Sequence, residues 1–140
     1  MSEQVDSSWN KLSGDWYNQV GSKMTLIADE DGGLSGTYNS AVGNAEDGYI
    51  LTGWFDVCPP SGEGVSVGWV VTFSNSKRNA HSTTAWSGQY YFDGGDERIL
   101  TRWLQTSSTA SSTVSQSINV ERGMFTRNNP KAAEVAKARG

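Results

Sequence analysis

The stretch "NAHSTTAWSGQY" (79–90) decides how this sequence folds. It is rich in Thr and aromatic residues, the composition of a β-strand. Read with a period of two, one face carries Ser82, Thr84, Trp86, Gly88 and Tyr90, and the other carries His81, Thr83, Ala85, Ser87 and Gln89. Neither face is plainly apolar. A dry core does not suit such a strand, because a buried hydroxyl without a partner costs about 1–3 kcal/mol. A ligand cavity does, since its walls combine apolar surface with a few placed polar groups.

Outward from this strand, the same kind of run recurs along the chain. Strands are expected near 14–21, 23–29, 34–40, 49–57, 64–74, 80–92, 97–106 and 114–126. Between them stand turn sequences: "DEDGG" (29–33), "CPPSGEG" (58–64), "NSKRN" (75–79), "DGGD" (93–96) and "SSTASST" (107–113). Short connections make consecutive strands antiparallel neighbours. The fold class is therefore all-β, and an eight-stranded antiparallel up-and-down barrel leaves no exposed edge. A sandwich is the alternative. The expected organisation is a flexible segment over 1–11, a barrel over 12–127 and a polar Ala/Lys-rich tail over 128–140.

Parity then sorts the faces. One set contains Trp16, Asn18, Val20 and Ser22, then Tyr38 and Ser40, then Trp69, Val71 and Phe73. The seventh strand adds Ile99, Thr101, Trp103, Gln105 and Ser107. The opposite faces hold Asp15, Gln19, Lys23, Arg98 and Arg102, which make a poor interior. The first set therefore points inward, with aromatics toward one end of the strands and small hydrogen-bonding groups toward the other. An eight-stranded barrel has room for one small ligand.

Composition narrows the function. The 140 residues carry a net charge of −4, against a nucleic-acid partner or a basic membrane-binding patch. No run approaches the length of a spanning helix. The start, "MSEQVDSSW", has neither a basic nor an apolar signal region, so a cytoplasmic protein is expected, or a secreted one if a leader has been removed. Cys58 and His81 are single, which leaves no internal disulfide and no metal motif, and no cofactor is expected. His81 faces away from Ser82 and Thr84, so it cannot act as their base, and an enzyme is not expected.

Five motifs in order, "GDWYNQVGS" (14–22), "GTYNSAVGNAE" (36–46), "GWVVTF" (68–73), "RNAHSTTAWSGQY" (78–90) and "TRWLQTSSTA" (101–110), resemble the avidin family, streptavidin and the fungal tamavidins especially. The resemblance runs from about residue 12 to 127. It implies an eight-stranded barrel, usually tetrameric, that binds biotin at its open end. By position, Asn18, Ser22 and Tyr38 match the donors to the ureido oxygen, and Ser40 matches an acceptor for a ureido N–H. Thr84 matches the hydroxyl facing the sulfur. Ser82 and the backbone of Asn44 match the carboxylate contacts, with Val42 and Gly43 in the closing loop. Trp86 and Trp103 match walls around the bicyclic ring. Val20 holds an apolar position, Ser107 matches a hydroxyl at the mouth, and Trp69 belongs to the same inward row.

The chain also departs from the family. Gly123 stands where an Asp accepts the second ureido N–H, and Ser115 where a Trp reaches into the neighbouring subunit. Phe73 replaces a pocket Trp and Gln105 a Leu. Ser117, Asn119, Glu121 and Gly123 give the eighth strand a polar inner face. The lost hydrogen bond and the lost burial together imply a cost of roughly 3–6 kcal/mol, or about two to four decades of affinity. The implied function is biotin binding of reduced affinity, or the binding of another small polar molecule or biotin derivative. Residues matching a dimer–dimer contact include Arg102, Val120 and Arg122, so a tetramer is expected to be weak, with a dimer as the alternative.

Overall fold

The computed structural model describes residues 11–41, 48–131 and 135. Eight strands follow one another: β1 (Gly14–Asn18), β2 (Lys23–Ala28), β3 (Gly33–Asn39), β4 (Tyr49–Phe55), β5 (Val65–Ser74), β6 (Asn79–Asp93), β7 (Asp96–Ser107) and β8 (Ile118–Thr126). Each pairs antiparallel with the next, and β8 returns to β1 to close a barrel. The two seams beside β8 differ in length. Its register with β7 runs from Arg98↔Thr126 to Thr106↔Ile118, whereas with β1 it consists of Tyr17↔Thr126 and Asn18↔Phe125.

Alternation in sequence becomes alternation in space. In β4, Tyr49, Leu51, Gly53 and Phe55 point inward and are buried, while Ile50, Thr52 and Trp54 face out. Gly53 is required by close approach: a Cβ there would collide with the Gly68 carbonyl oxygen on β5. The buried set includes Trp16, Met24, Leu26, Leu51, Val71, Ile99 and Phe125, all fully enclosed within the barrel.

Two boundaries differ from the sequence reading by more than two residues. β1 stops at Asn18, because the chain turns through Gly21 at φ 91 and the Asn18 side chain folds back on that turn. β8 begins at Ile118, four residues later than expected. Ser111–Gln116 instead forms a 3-10 segment, in which the Thr113 hydroxyl donates to the Ala110 carbonyl at 3.2 Å. Short hydroxyl side chains that bond locally compete with strand pairing. Residues 1–10 of the N-terminal segment expected over 1–11, and the tail apart from 128–131 and 135, lie outside the described residues.

One end of the barrel is plugged. Trp16 donates from Nε1 to the Leu12 carbonyl at 2.9 Å and meets Tyr90 edge to face. The Arg127 guanidinium lies 3.8 Å from the Trp16 ring centre, a cation–π contact. Its Nε donates to Glu97 at 3.0 Å, and its terminal nitrogens reach the carbonyls of Asp15 and Lys11. Tyr90 donates to the other Glu97 oxygen at 2.9 Å. Burial, then the hydrogen bond and charge of Glu97, push the Tyr90 phenol well above its ordinary pKa.

Candidate functional site

The opposite end holds a cavity of about 340 Å³. Strand register explains its layers. Trp69, Trp86, Trp103 and Glu121 form one row across β5 to β8, and Val71, Thr84, Gln105 and Asn119 form the row above. Trp69 stacks on Trp86 with ring centres 5.6 Å apart, and Phe125 meets Trp69 edge to face. Such pairs add about 0.5–1.5 kcal/mol each beyond burial. They build a rigid apolar floor.

The polar side comes from β1, the turn after it and β3. Asn18 Oδ1 accepts from the backbone N–H groups of Val20 at 3.1 Å and Ser22 at 2.9 Å. Those two bonds fix the amide, so its NH2 turns toward Tyr38, whose oxygen is 3.4 Å away. Ser22 Oγ accepts from the Ala41 N–H at 3.0 Å, which leaves its hydroxyl proton to donate. Burial raises the Tyr38 pKa to about 12, with a hydrogen bond from Ser22 opposing, so the phenol remains a donor at neutral pH. Asn18, Ser22 and Tyr38 thus gather three donor groups at one corner of the cavity, with the first two turned toward the Tyr38 oxygen. A site of this kind stabilises an oxygen carrying partial negative charge. Tyr38 also packs against Trp86, with ring centres 4.9 Å apart, which locks its ring.

Ten of the residues expected from sequence line this one cavity: Asn18, Val20, Ser22, Tyr38, Ser40, Phe73, Thr84, Trp86, Trp103 and Gln105. Trp69 supports the floor behind Trp86 and is itself enclosed. Ser82 and Ser107, opposite each other in the β6–β7 register, border a separate groove with His81 on the outer rim. Val42, Gly43 and Asn44 lie outside the described residues.

The cavity has further lining residues in Gln19, Glu121, Arg122, Gly123 and Phe125. Phe125 shares parity with Gly123 and was findable from that alternation. Gln19 is not legible by parity, because its Oε1 bridges the seam to the Met124 N–H at 3.3 Å where backbone pairing has ended. Of the polar inner face expected on β8, Ser117 and Gly123 are buried, while Asn119 and Glu121 are exposed. Beside Gly123, Thr101 donates to the Gly123 carbonyl at 2.9 Å. A Cβ at Gly123 would stand 3.0 Å from Thr101 Oγ1 and 3.3 Å from the Trp103 ring.

Among the described residues no group of three or more His, Cys, Asp or Glu side chains could hold a metal ion. No described helix is long and apolar enough to cross a membrane.

An up-and-down antiparallel barrel with an aromatic floor and a cluster of donors at its open end is the architecture these residues define. The chain belongs to the Avidin family, which it matches over residues 7–128. It is 35% identical to Afifavidin of Afifella pfennigii over 66% of this chain and 55% of that protein. It is also 35% identical to avidin-related protein 7 of Gallus gallus, over 67% of this chain and 61% of the relative. Fibropellin-1 of Strongylocentrotus purpuratus is 29% identical over 71% of this chain, a match confined to 9% of that protein's length. The match therefore spans just over half the length of the first two relatives.

Proposed function

We propose that the barrel over 12–127 is a non-catalytic biotin-binding unit whose affinity lies below that of family members with Asp and Trp at the positions of Gly123 and Ser115. The observation that carries this reading is the Asn18 amide. Locked by two backbone N–H groups, it turns its NH2 toward the Tyr38 oxygen on the cavity wall, beside the Ser22 hydroxyl. A urea carbonyl oxygen suits three converging donors, and the Trp86 and Trp103 walls suit a bicyclic apolar body. The lower affinity follows from Gly123, which offers no side-chain acceptor for the second ureido N–H. Ser115 lies exposed in the 3-10 segment and offers no indole. Calorimetry with biotin tests the reading. Saturable heat with tryptophan quenching supports it, and no heat at high micromolar ligand contradicts it.

A second reading has its own support. Gln105 and Glu121 bring an amide and a carboxylate to the cavity wall, where a different small polar molecule or a biotin derivative would find partners. A thermal-shift comparison separates the two: biotin stabilising more than any analogue favours the first. Self-association into a tetramer or a dimer is part of the proposal. Ile50, Trp54, Leu104 and Val120 are large apolar residues exposed on outer faces. Light scattering that gives a stable tetramer at sub-micromolar protein would contradict the weak assembly expected from Arg102 and Arg122.

A further inference from the structure

The wall that β7 and β8 give the cavity carries a charge that the donor corner lacks. Among the described residues lining the cavity, Glu121 is the single carboxylate. Parity on β8 puts it on the same side as Gly123, one inward position farther from the enclosed Phe125 and nearer the mouth. The register sets it beside Trp103. Arg122 is the single basic lining residue. It follows Glu121 in the chain, so it leaves β8 on the opposite face, across from Arg102. Gln105 stands one row nearer the mouth than Trp103, between Thr84 and Asn119. Its amide borders the cavity and offers both a donor and an acceptor. The hydroxyls of Ser82 and Ser107, which could receive an anionic group, border a separate groove.

We propose that the site prefers a biotin-type ligand whose side chain ends in a neutral amide over one whose side chain ends in a free carboxylate. The inference rests on the biotin-binding reading and narrows its ligand to the acid condensed with an amine. The floor of Trp69, Trp86 and Phe125 closes the inner end of the cavity. A head group held at Asn18, Ser22 and Tyr38 must therefore send its side chain toward the mouth, past the rows of Glu121 and Gln105. A carboxylate on that path meets a like charge. Two negative charges about 7 Å apart, at an effective dielectric constant of about 45, weaken binding roughly fivefold. A secondary amide carries no charge. Its carbonyl and N–H are complementary to the NH2 and the oxygen of Gln105. Glu121 thus disfavours the acid, and Gln105 receives the amide.

The test is parallel titration of the full chain with biotin and with biotin N-methylamide. The wild type should bind the amide about fivefold more tightly at low ionic strength. High salt should shrink that ratio, because Glu121 is exposed and its charge is screened. Glu121→Gln should lower the ratio by tightening the acid, and Glu121→Lys should favour the acid outright. Gln105→Leu should lower the ratio by weakening the amide. A Tm close to that of the wild type checks that each variant keeps the fold. Equal affinity for the two compounds in the wild type, or a ratio that Glu121→Gln leaves in place, would overturn the proposal while biotin binding stands. Binding of neither compound by the folded wild type would overturn the biotin-binding reading and this inference with it.

Discussion

At one end of the barrel Arg127 sits 3.8 Å above the Trp16 ring and spends its nitrogens on Glu97, Asp15 and Lys11. At the other end Asn18, Ser22 and Tyr38 line a cavity, with the Asn18 amide turned toward the Tyr38 oxygen. The strands are the same at both ends, and the chemistry is opposite. The plugged end gathers its polar groups on one another and stabilises the fold. The open end uses the backbone to hold Asn18 Oδ1 and Ser22 Oγ, and turns their donors toward the Tyr38 oxygen on the cavity wall, where a ligand oxygen can compete for them. Substitutions at the first end should therefore alter stability with little effect on affinity, and those at the second should do the reverse.

The largest effect is expected for Arg127→Ala. It leaves Glu97 with one partner fewer and uncovers Trp16, so unfolding stability should fall by about 2–4 kcal/mol in denaturant titration. The Kd of the folded fraction should change less than threefold. At the open end, Asn18→Asp preserves the shape and the acceptor for Val20 and Ser22 but replaces the donor NH2 with an anionic oxygen. Biotin affinity should fall by about 2–3 kcal/mol, roughly 30- to 150-fold, with only a small change in Tm. An Arg127 variant that loses affinity as steeply would break the division between the two ends.

Alkaline pH addresses both ends together. The phenols of Tyr38 and Tyr90 have raised pKa values, Tyr38 to about 12, so each holds its proton in the fold after the unfolded chain has lost it. The unfolded state then binds fewer protons, and stability falls as pH rises from about 10 toward 12. Tyr38→Phe and Tyr90→Phe should each flatten this slope in chemical denaturation, while only Tyr38→Phe should weaken binding. The smallest effect is expected for Gly123→Asp. Its new Cβ meets Thr101 Oγ1 at 3.0 Å, so Trp103 and Thr101 must shift by a few tenths of an ångström. Affinity should improve about tenfold through the added acceptor, with a loss near 1 kcal/mol of stability.

The strand order and most strand limits were legible in sequence, because turns carry their own chemistry. Gly94 and Gly95, with φ of 61 and 92, connect β6 and β7 where "DGGD" marks a hairpin. The start of β8 was not legible, since "SSTASST" and the residues after it lack alternation, and their hydroxyls find local backbone partners. The site was legible where it follows parity on one strand: Asn18, Tyr38, Thr84, Trp86, Trp103 and Gln105. It was not where closure decides. Gln19 comes to the cavity because the β1–β8 seam ends early, and no single strand's pattern contains that fact. The orientation of the Asn18 amide is equally a property of the turn it caps.

The most direct measurement is isothermal calorimetry with biotin on the wild type and Asn18→Asp side by side. Saturable binding by the wild type, weakened at least 30-fold in the variant while its Tm stays nearly unchanged, is the result expected from three donors converging on one ligand oxygen. Equal affinity in the two proteins, or no binding by a folded wild type, would contradict it.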